Sequence, residues 1–408
     1  MWYALVEQQR QWLRAWRAAT GYAFDAWPAA TLPHAASSCY ADLFEPLLGP
    51  AADPPPFAIG PRAGRTGPHD VAQQVIAQMP FCALRRFSHD RRAARAVLLC
   101  APLAGHAAVM MRETVETLLA DGDVYITDWA NARDVPPAAG RFGLDEYVTM
   151  LDGFVDALAH DGRPLHMVAV CQATFPALGV LALRARRALA PPASVSLIGG
   201  PLDARLNPSS LGIAAASHSL DWCRRHLIDV VSAGFAGHGR PVFPTYLQQA
   251  EIAIIYPHRY LLLLERYTQA ACRLDTCGMA DARRALREYA ALVDMPAEYF
   301  LDTVDIVFQR ACLASGNWRV HGVPVDPAGL RGTTLLTVEG ARDTVTGAGQ
   351  THAAHALCSS LARTDRHRLD VDECDHYGLF LGARWRDDVH PALQAVFAQA
   401  DARHATRR

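Results

Sequence analysis

Cys171 stands between a run of strand length, Leu165-His166-Met167-Val168-Ala169-Val170, and a segment that reads as buried helix, Phe175-Pro176-Ala177-Leu178-Gly179-Val180-Leu181-Ala182-Leu183. Ala169 and Ala173 flank it at minus two and plus two. A sharp strand-to-helix turn needs small residues at those places, because adjacent backbones come close together. The pattern is that of the Gly-x-Ser-x-Gly nucleophile elbow, with alanine for glycine and cysteine for serine. Cys171 is therefore a candidate nucleophile; an inert core thiol is the plain alternative for any of the ten cysteines.

A thiol attacks as thiolate, and free cysteine has a pKa of roughly 8.5, so a base must take its proton. That base needs a carboxylate to orient it, and the oxyanion formed by attack needs hydrogen-bond donors. In a sheet of this kind the partners follow in the chain order nucleophile, acid, histidine. His376, in Asp375-His376-Tyr377-Gly378, is the candidate base, in a glycine-containing loop before the last helix. Asp375 beside it is expected to be solvated or to tune the imidazole. Asp343, in Glu339-Gly340-Ala341-Arg342-Asp343, is the candidate acid, although an aspartate there also suits a capping role. Asp203, in Gly199-Gly200-Pro201-Leu202-Asp203-Ala204-Arg205, is the rival carboxylate and a candidate substrate contact; pairing with Arg205 or shaping a lid entrance are its other readings. The oxyanion donors are expected to be the backbone N–H of Gln172 and one N–H from Pro102-Leu103-Ala104-Gly105-His106, with Leu103 and Ala104 both open. His106 either lines the substrate pocket or packs against the following helix.

Buried strands and helices must alternate to place these groups. Strands are expected at 96–102, 123–129, 165–170, 194–200, 333–340 and 367–372, with helices at 107–120, 144–160 and 386–400. Such a rhythm predicts a mostly parallel sheet covered on both faces. It breaks between 206 and 330, a largely helix-like, aromatic-rich stretch, and an insertion between late strands builds a lid over the strands' C-terminal ends. The expected organisation is an N-terminal helical and linker segment at 1–70, a core from 71–205 and 331–408, and a lid from 206–330. Within 1–48, Trp2, Tyr3, Trp12, Trp16, Tyr22, Phe24 and Trp27 predict a helix whose aromatics bury inward or touch an apolar surface. Pro54-Pro55-Pro56, Pro61 and Pro68 mark 50–70 as a connecting loop.

The 408 residues carry a formal charge of −2 and are half hydrophobic, which gives no electrostatic reason to expect nucleic acid. No apolar run approaches the roughly 20 residues needed to cross a bilayer. The start of the chain lacks a secretory pattern, so a cytoplasmic location is expected. The cysteines form no CxxC, and Cys272-x4-Cys277 has no partner pair, so neither a zinc site nor a disulfide framework is expected.

Several stretches together resemble the intracellular poly(3-hydroxybutyrate) depolymerases of bacteria. They include Ala101-Pro102-Leu103-Ala104-Gly105-His106, Val170-Cys171-Gln172, Gly199-Gly200-Pro201-Leu202-Asp203-Ala204-Arg205, Gly237-His238-Gly239-Arg240, Asp294-Met295-Pro296-Ala297-Glu298-Tyr299 and His376-Tyr377-Gly378. Asp375 stands where that family carries glycine. The resemblance implies an α/β-hydrolase fold with a large, mainly helical lid, and a Cys–Asp–His triad falling on Cys171, Asp343 and His376. It also implies an amorphous polyester of cytoplasmic storage granules as substrate and granule surface as partner, with no cofactor or metal. Rival readings are a polyester synthase, which usually carries Gly-x-Cys-x-Gly, a thioesterase or carboxylesterase for small acyl groups, and a non-catalytic granule-coating protein.

Overall fold

Eight strands form the central sheet of the computed structural model, which describes residues 2–25, 54–60, 62–64, 67–69, 71–89, 92–160 and 162–407. In chain order they are β1 (Ala72–Gln78), β2 (Cys82–Ser88), β3 (Ala96–Cys100), β4 (Asp123–Trp129), β5 (Leu165–Val170), β6 (Ser194–Ile198), β7 (Thr334–Gly340) and β8 (Arg366–Val371). Their spatial order is β1-β2-β4-β3-β5-β6-β7-β8. The pairs β1/β2 and β2/β4 are antiparallel, and every later pairing is parallel. This mostly parallel, helix-covered sheet is the α/β-hydrolase fold.

β3, β5 and β6 are buried at every residue; β3 reads as an unbroken apolar run, whereas His166, Ser194 and Ser196 interrupt β5 and β6. Their register aligns Cys100 with Ala169 and Val170 with Ile198, while Ile198 faces Val338. The carboxyl ends of β3, β5, β6 and β7 thus lie along one edge, where ligands of open α/β sheets bind. The β1–β2 hairpin escaped the sequence reading because β1 is exposed at every residue but one and so carries no apolar stripe. The expected helix at 107–120 resolves into a 3-10 turn, Ala108–Met111, and a short helix, Arg112–Leu118. The last helix, His390–Arg407, begins later than expected because a wide helical turn, Trp385–Val389, precedes it.

Between β6 and β7 the chain forms the helices Thr245–Ile255, Pro257–Cys272 and Thr276–Ala290 among shorter ones. This stretch is less purely helical than expected: residues 229–230, 241–243 and 295–296 make a small antiparallel sheet. Helix Trp2–Asp25 docks on it through Tyr3, Glu7 and Arg10, spaced to share one face. The Tyr3 N–H donates to Asp229 at 2.8 Å and its hydroxyl donates to Asp294. Trp2 and Trp12, expected among inward aromatics, are exposed. The helical expectation beyond Asp25, with Trp27, lies outside the described residues, as do parts of the expected loop at 50–70.

Candidate active site

β5 delivers Cys171 at its carboxyl end. Val170 is extended, with φ −116° and ψ 137°, and Cys171 then turns to φ +54° before a 3-10 turn leads into helix Thr174–Arg186. A left-handed backbone costs an L-residue about 1–2 kcal/mol, so the surroundings must hold it. Thr174 does so by donating its hydroxyl to the Cys171 carbonyl at 2.8 Å. Ala169 and Ala173, picked out from the sequence, are fully buried against this turn. Gly200 completes the packing, a part the sequence reading missed. A Cβ there would lie 1.8 Å from the Thr174 hydroxyl oxygen and 2.6 Å from the Cys171 carbonyl oxygen.

The acid and the imidazole converge on this thiol. Asp343 Oδ2 accepts from Nδ1 of His376 at 2.8 Å, and His376 and Cys171 line the same cavity. Asp343 Oδ1 accepts from the backbone N–H groups of Val345 and Thr346 at 2.8 and 2.9 Å. Asp343 thus caps the chain after β7 and contacts His376 at the same time. Burial works against a charged imidazole, but the Asp343 carboxylate and the Cys171 sulfur reverse that effect and hold His376 well above its ordinary pKa. Asp375, half-buried, accepts from the Gly378 N–H at 2.7 Å and caps the turn after His376.

The structure separates the rival carboxylate from this group. Asp203, offered as a substrate contact, does not line the cavity at Cys171; its carboxylate instead meets Arg205 at 2.7 and 2.8 Å. That guanidinium holds Asp203 below the usual carboxylate range. Of the two oxyanion candidates after β3, Ala104 lines the cavity beside Gln172, whereas the side chain of Leu103 is buried in the core. His106 also lines the cavity, its Nε2 3.0 Å from the Tyr377 hydroxyl, and burial pushes its pKa down to about 4.

The aromatic-rich stretch between β6 and β7, expected as a lid, supplies contacts whose individual partners the sequence reading had not assigned. The Tyr256 hydroxyl accepts from the backbone N–H of His376 at 3.1 Å, and Tyr299 donates to the Gln172 side-chain oxygen at 3.2 Å. With Phe243, Phe300, Phe308 and Trp222 these tyrosines wall an apolar cavity of about 590 Å³ over Cys171 and His376. A cleft of about 630 Å³, bounded by ion-paired Arg112, Glu113 and Glu288, contains neither residue.

Among the described residues, Glu339, His352 and Asp370 could together offer a metal three ligand atoms. Their polar atoms already have partners. Glu339 accepts from the N–H groups of Gly349, Thr351 and His352, and His352 meets Thr337 and Asp370 at 2.6 and 3.1 Å. The cluster lies apart from the cavity.

Fold and family define an ester hydrolase of the α/β class. More narrowly, this is a PHB depolymerase-type protein: residues 199–401 match the family model described as "PHB de-polymerase C-terminus". That stretch contains Asp343 and His376 and begins after Cys171. No curated protein matches the sequence. The chain is similar to the solved monoacylglycerol lipase of Paleococcus ferrophilus at 12% identity and TM-score 0.47, over 81% of this chain and 99% of that one. It is similar to 2-hydroxy-6-oxo-6-phenylhexa-2,4-dienoate hydrolase from Rhodococcus at 15% identity and TM-score 0.42, over 81% and 100%. A third similar structure is carboxyl esterase 2 from Tuber melanosporum, at 11% identity and TM-score 0.44, over 90% and 97%.

Proposed function

We propose that the protein is an intracellular poly(3-hydroxybutyrate) depolymerase that hydrolyses the amorphous polymer through Cys171, His376 and Asp343. The observation that carries this reading is a strained, left-handed cysteine that shares one apolar cavity with a carboxylate-bound imidazole. An uncharged polyester suits such a cavity, because its ester groups demand little polar recognition.

In this mechanism His376 takes the thiol proton as Cys171 attacks an ester carbonyl. The N–H groups of Gln172 and Ala104 receive the oxyanion, where loss of one donor typically costs about 3 kcal/mol. His376 then protonates the departing hydroxyl end. Water, activated by the same imidazole, hydrolyses the acyl-thioester and frees the acid. Asp343 fixes the Nδ1–H tautomer and supports the imidazolium, as in other triads.

The test is release of 3-hydroxybutyrate oligomers and monomer from native-type amorphous granules. Wild type should release them, and Cys171→Ala and His376→Ala should each lower the rate by about a thousandfold or more. Hydrolysis of short nitrophenyl esters without any granule hydrolysis would reassign the chain as a small-acyl esterase. Full polymer release by Cys171→Ala would remove the thiol from the mechanism.

A further inference from the structure

Among the described residues, one carboxyl group lines the apolar cavity over Cys171. Glu251 lies on helix Thr245–Ile255, which also lines the cavity with Leu247, Ala250 and Ile254. Among the described residues, no aspartate, lysine or arginine lines this cavity. Its histidines are engaged elsewhere: His106 with Tyr377, His376 with Asp343, and His218 with Ser217. Burial is the sole influence on the Glu251 carboxyl and pushes its pKa up to about 7. Among the described residues, no salt bridge or charge-assisted hydrogen bond stabilises its anion, as one would for a structural carboxylate.

An unpaired carboxyl in an apolar binding site acts in two ways. Protonated, it donates a hydrogen bond to an ester oxygen; ionised, it repels a second anion, with little solvent between them to screen the charge. A polyester segment is neutral and offers acceptors along its length, whereas every hydrolysis leaves a new carboxylate. We infer that Glu251 is a specificity-determining residue that admits neutral ester chains and disfavours ligands bearing a carboxylate, so that acid products leave the cavity. This rests on the cavity being the ester-binding site proposed above.

Two soluble esters with the same leaving group test it: 4-nitrophenyl butyrate, which is neutral, and mono-4-nitrophenyl glutarate, whose acyl group carries a carboxylate. At pH 8 the wild type should favour the butyrate in kcat/KM. Glu251→Gln should narrow that preference at least tenfold, and Glu251→Asp, which keeps the charge, should preserve most of it. An unchanged ratio in Glu251→Gln, or equal narrowing in Glu251→Asp, overturns the inference. A measurement on wild type alone covers the case of a variant that does not fold: neutral butyramide should inhibit at lower concentration than butyrate, and equal inhibition counts against Glu251. Neither ester is a polymer. Failure to degrade granules would therefore reject the depolymerase reading while leaving this ratio measurable.

Discussion

Asp343 uses its two oxygens differently: Oδ1 ties down the chain after β7 and Oδ2 orients His376. The imidazole is thus held by a carboxylate that is itself held by backbone. His106 presents the opposite electrostatic situation, a neutral imidazole buried beside Tyr377 and Tyr289. Its folded pKa of about 4 lies below the unfolded value of roughly 6.5. Between those values the unfolded chain binds more protons, so stability falls as pH drops below about 6.5 and levels off below about 4. At pH 5 the loss from this one group is about 2 kcal/mol relative to neutral pH. Urea unfolding at pH 7.5 and pH 5 should show wild type losing more stability than His106→Gln by about that amount; parallel losses would reject the assignment. Local context alone singled out Cys171 and His376 of the proposed site, the one at a strand–helix turn and the other in a loop before the last helix. The choice between Asp343 and Asp203 was not, since both follow strands and only the folded distances separate them. Glu251 was invisible for a related reason, since it meets the site from far away along the chain; Tyr256 and Tyr299 belonged to the aromatic-rich stretch expected to form a lid, but their individual contacts were not legible.

At the scale of elements, the elbow depends on how closely β6 approaches the turn after β5. Gly200, just beyond β6, leaves no space for a side chain against Thr174 and the Cys171 carbonyl. Gly200→Ala should push the turn off its geometry and lower kcat about a hundredfold, the usual cost of misplacing a reacting atom by roughly 1 Å. Gly153→Ala, within helix Leu144–Ala159, is the control, since a Cβ there meets nothing within 4 Å. Steady-state kinetics on a soluble nitrophenyl ester compares the two, and equal activity would show that the elbow tolerates displacement. The buried strands were readable because full burial makes them mostly apolar, even where His166, Ser194 and Ser196 interrupt the run. The β1–β2 hairpin was not, because an exposed edge strand with Gln73 and Gln74 carries no such run. Likewise, the small sheet of residues 229–230, 241–243 and 295–296 joins strands of two or three residues, too short to leave a period.

At the scale of the whole molecule, the N-terminal helix divides into two faces. Tyr3, Glu7 and Arg10 are buried against residues 229–245 and 294, with Arg10 donating to the Thr245 hydroxyl at 3.2 Å. Trp2, Leu5 and Trp12 are 71%, 52% and 64% exposed, and helical geometry places Leu5 and Trp12 roughly opposite the docked face and Trp2 on its flank. Ile254, 79% exposed while lining the cavity, adds apolar surface at the cavity mouth. Exposed aromatic and aliphatic side chains are costly in water and gain by contact with an insoluble apolar polymer. In the depolymerase reading the outer face of the helix therefore holds the enzyme on granules while the cavity takes up chain segments. No described helix is long and apolar enough to cross a membrane. Replacing Trp2 and Trp12 together with serine removes aromatic area without touching the face that docks. The double variant should bind amorphous granules at least tenfold more weakly in a sedimentation assay and hydrolyse them more slowly. Its kcat/KM on a soluble nitrophenyl ester should match wild type, because neither tryptophan lines the cavity. Equal partitioning of variant and wild type onto granules would move the adsorbing surface away from this helix.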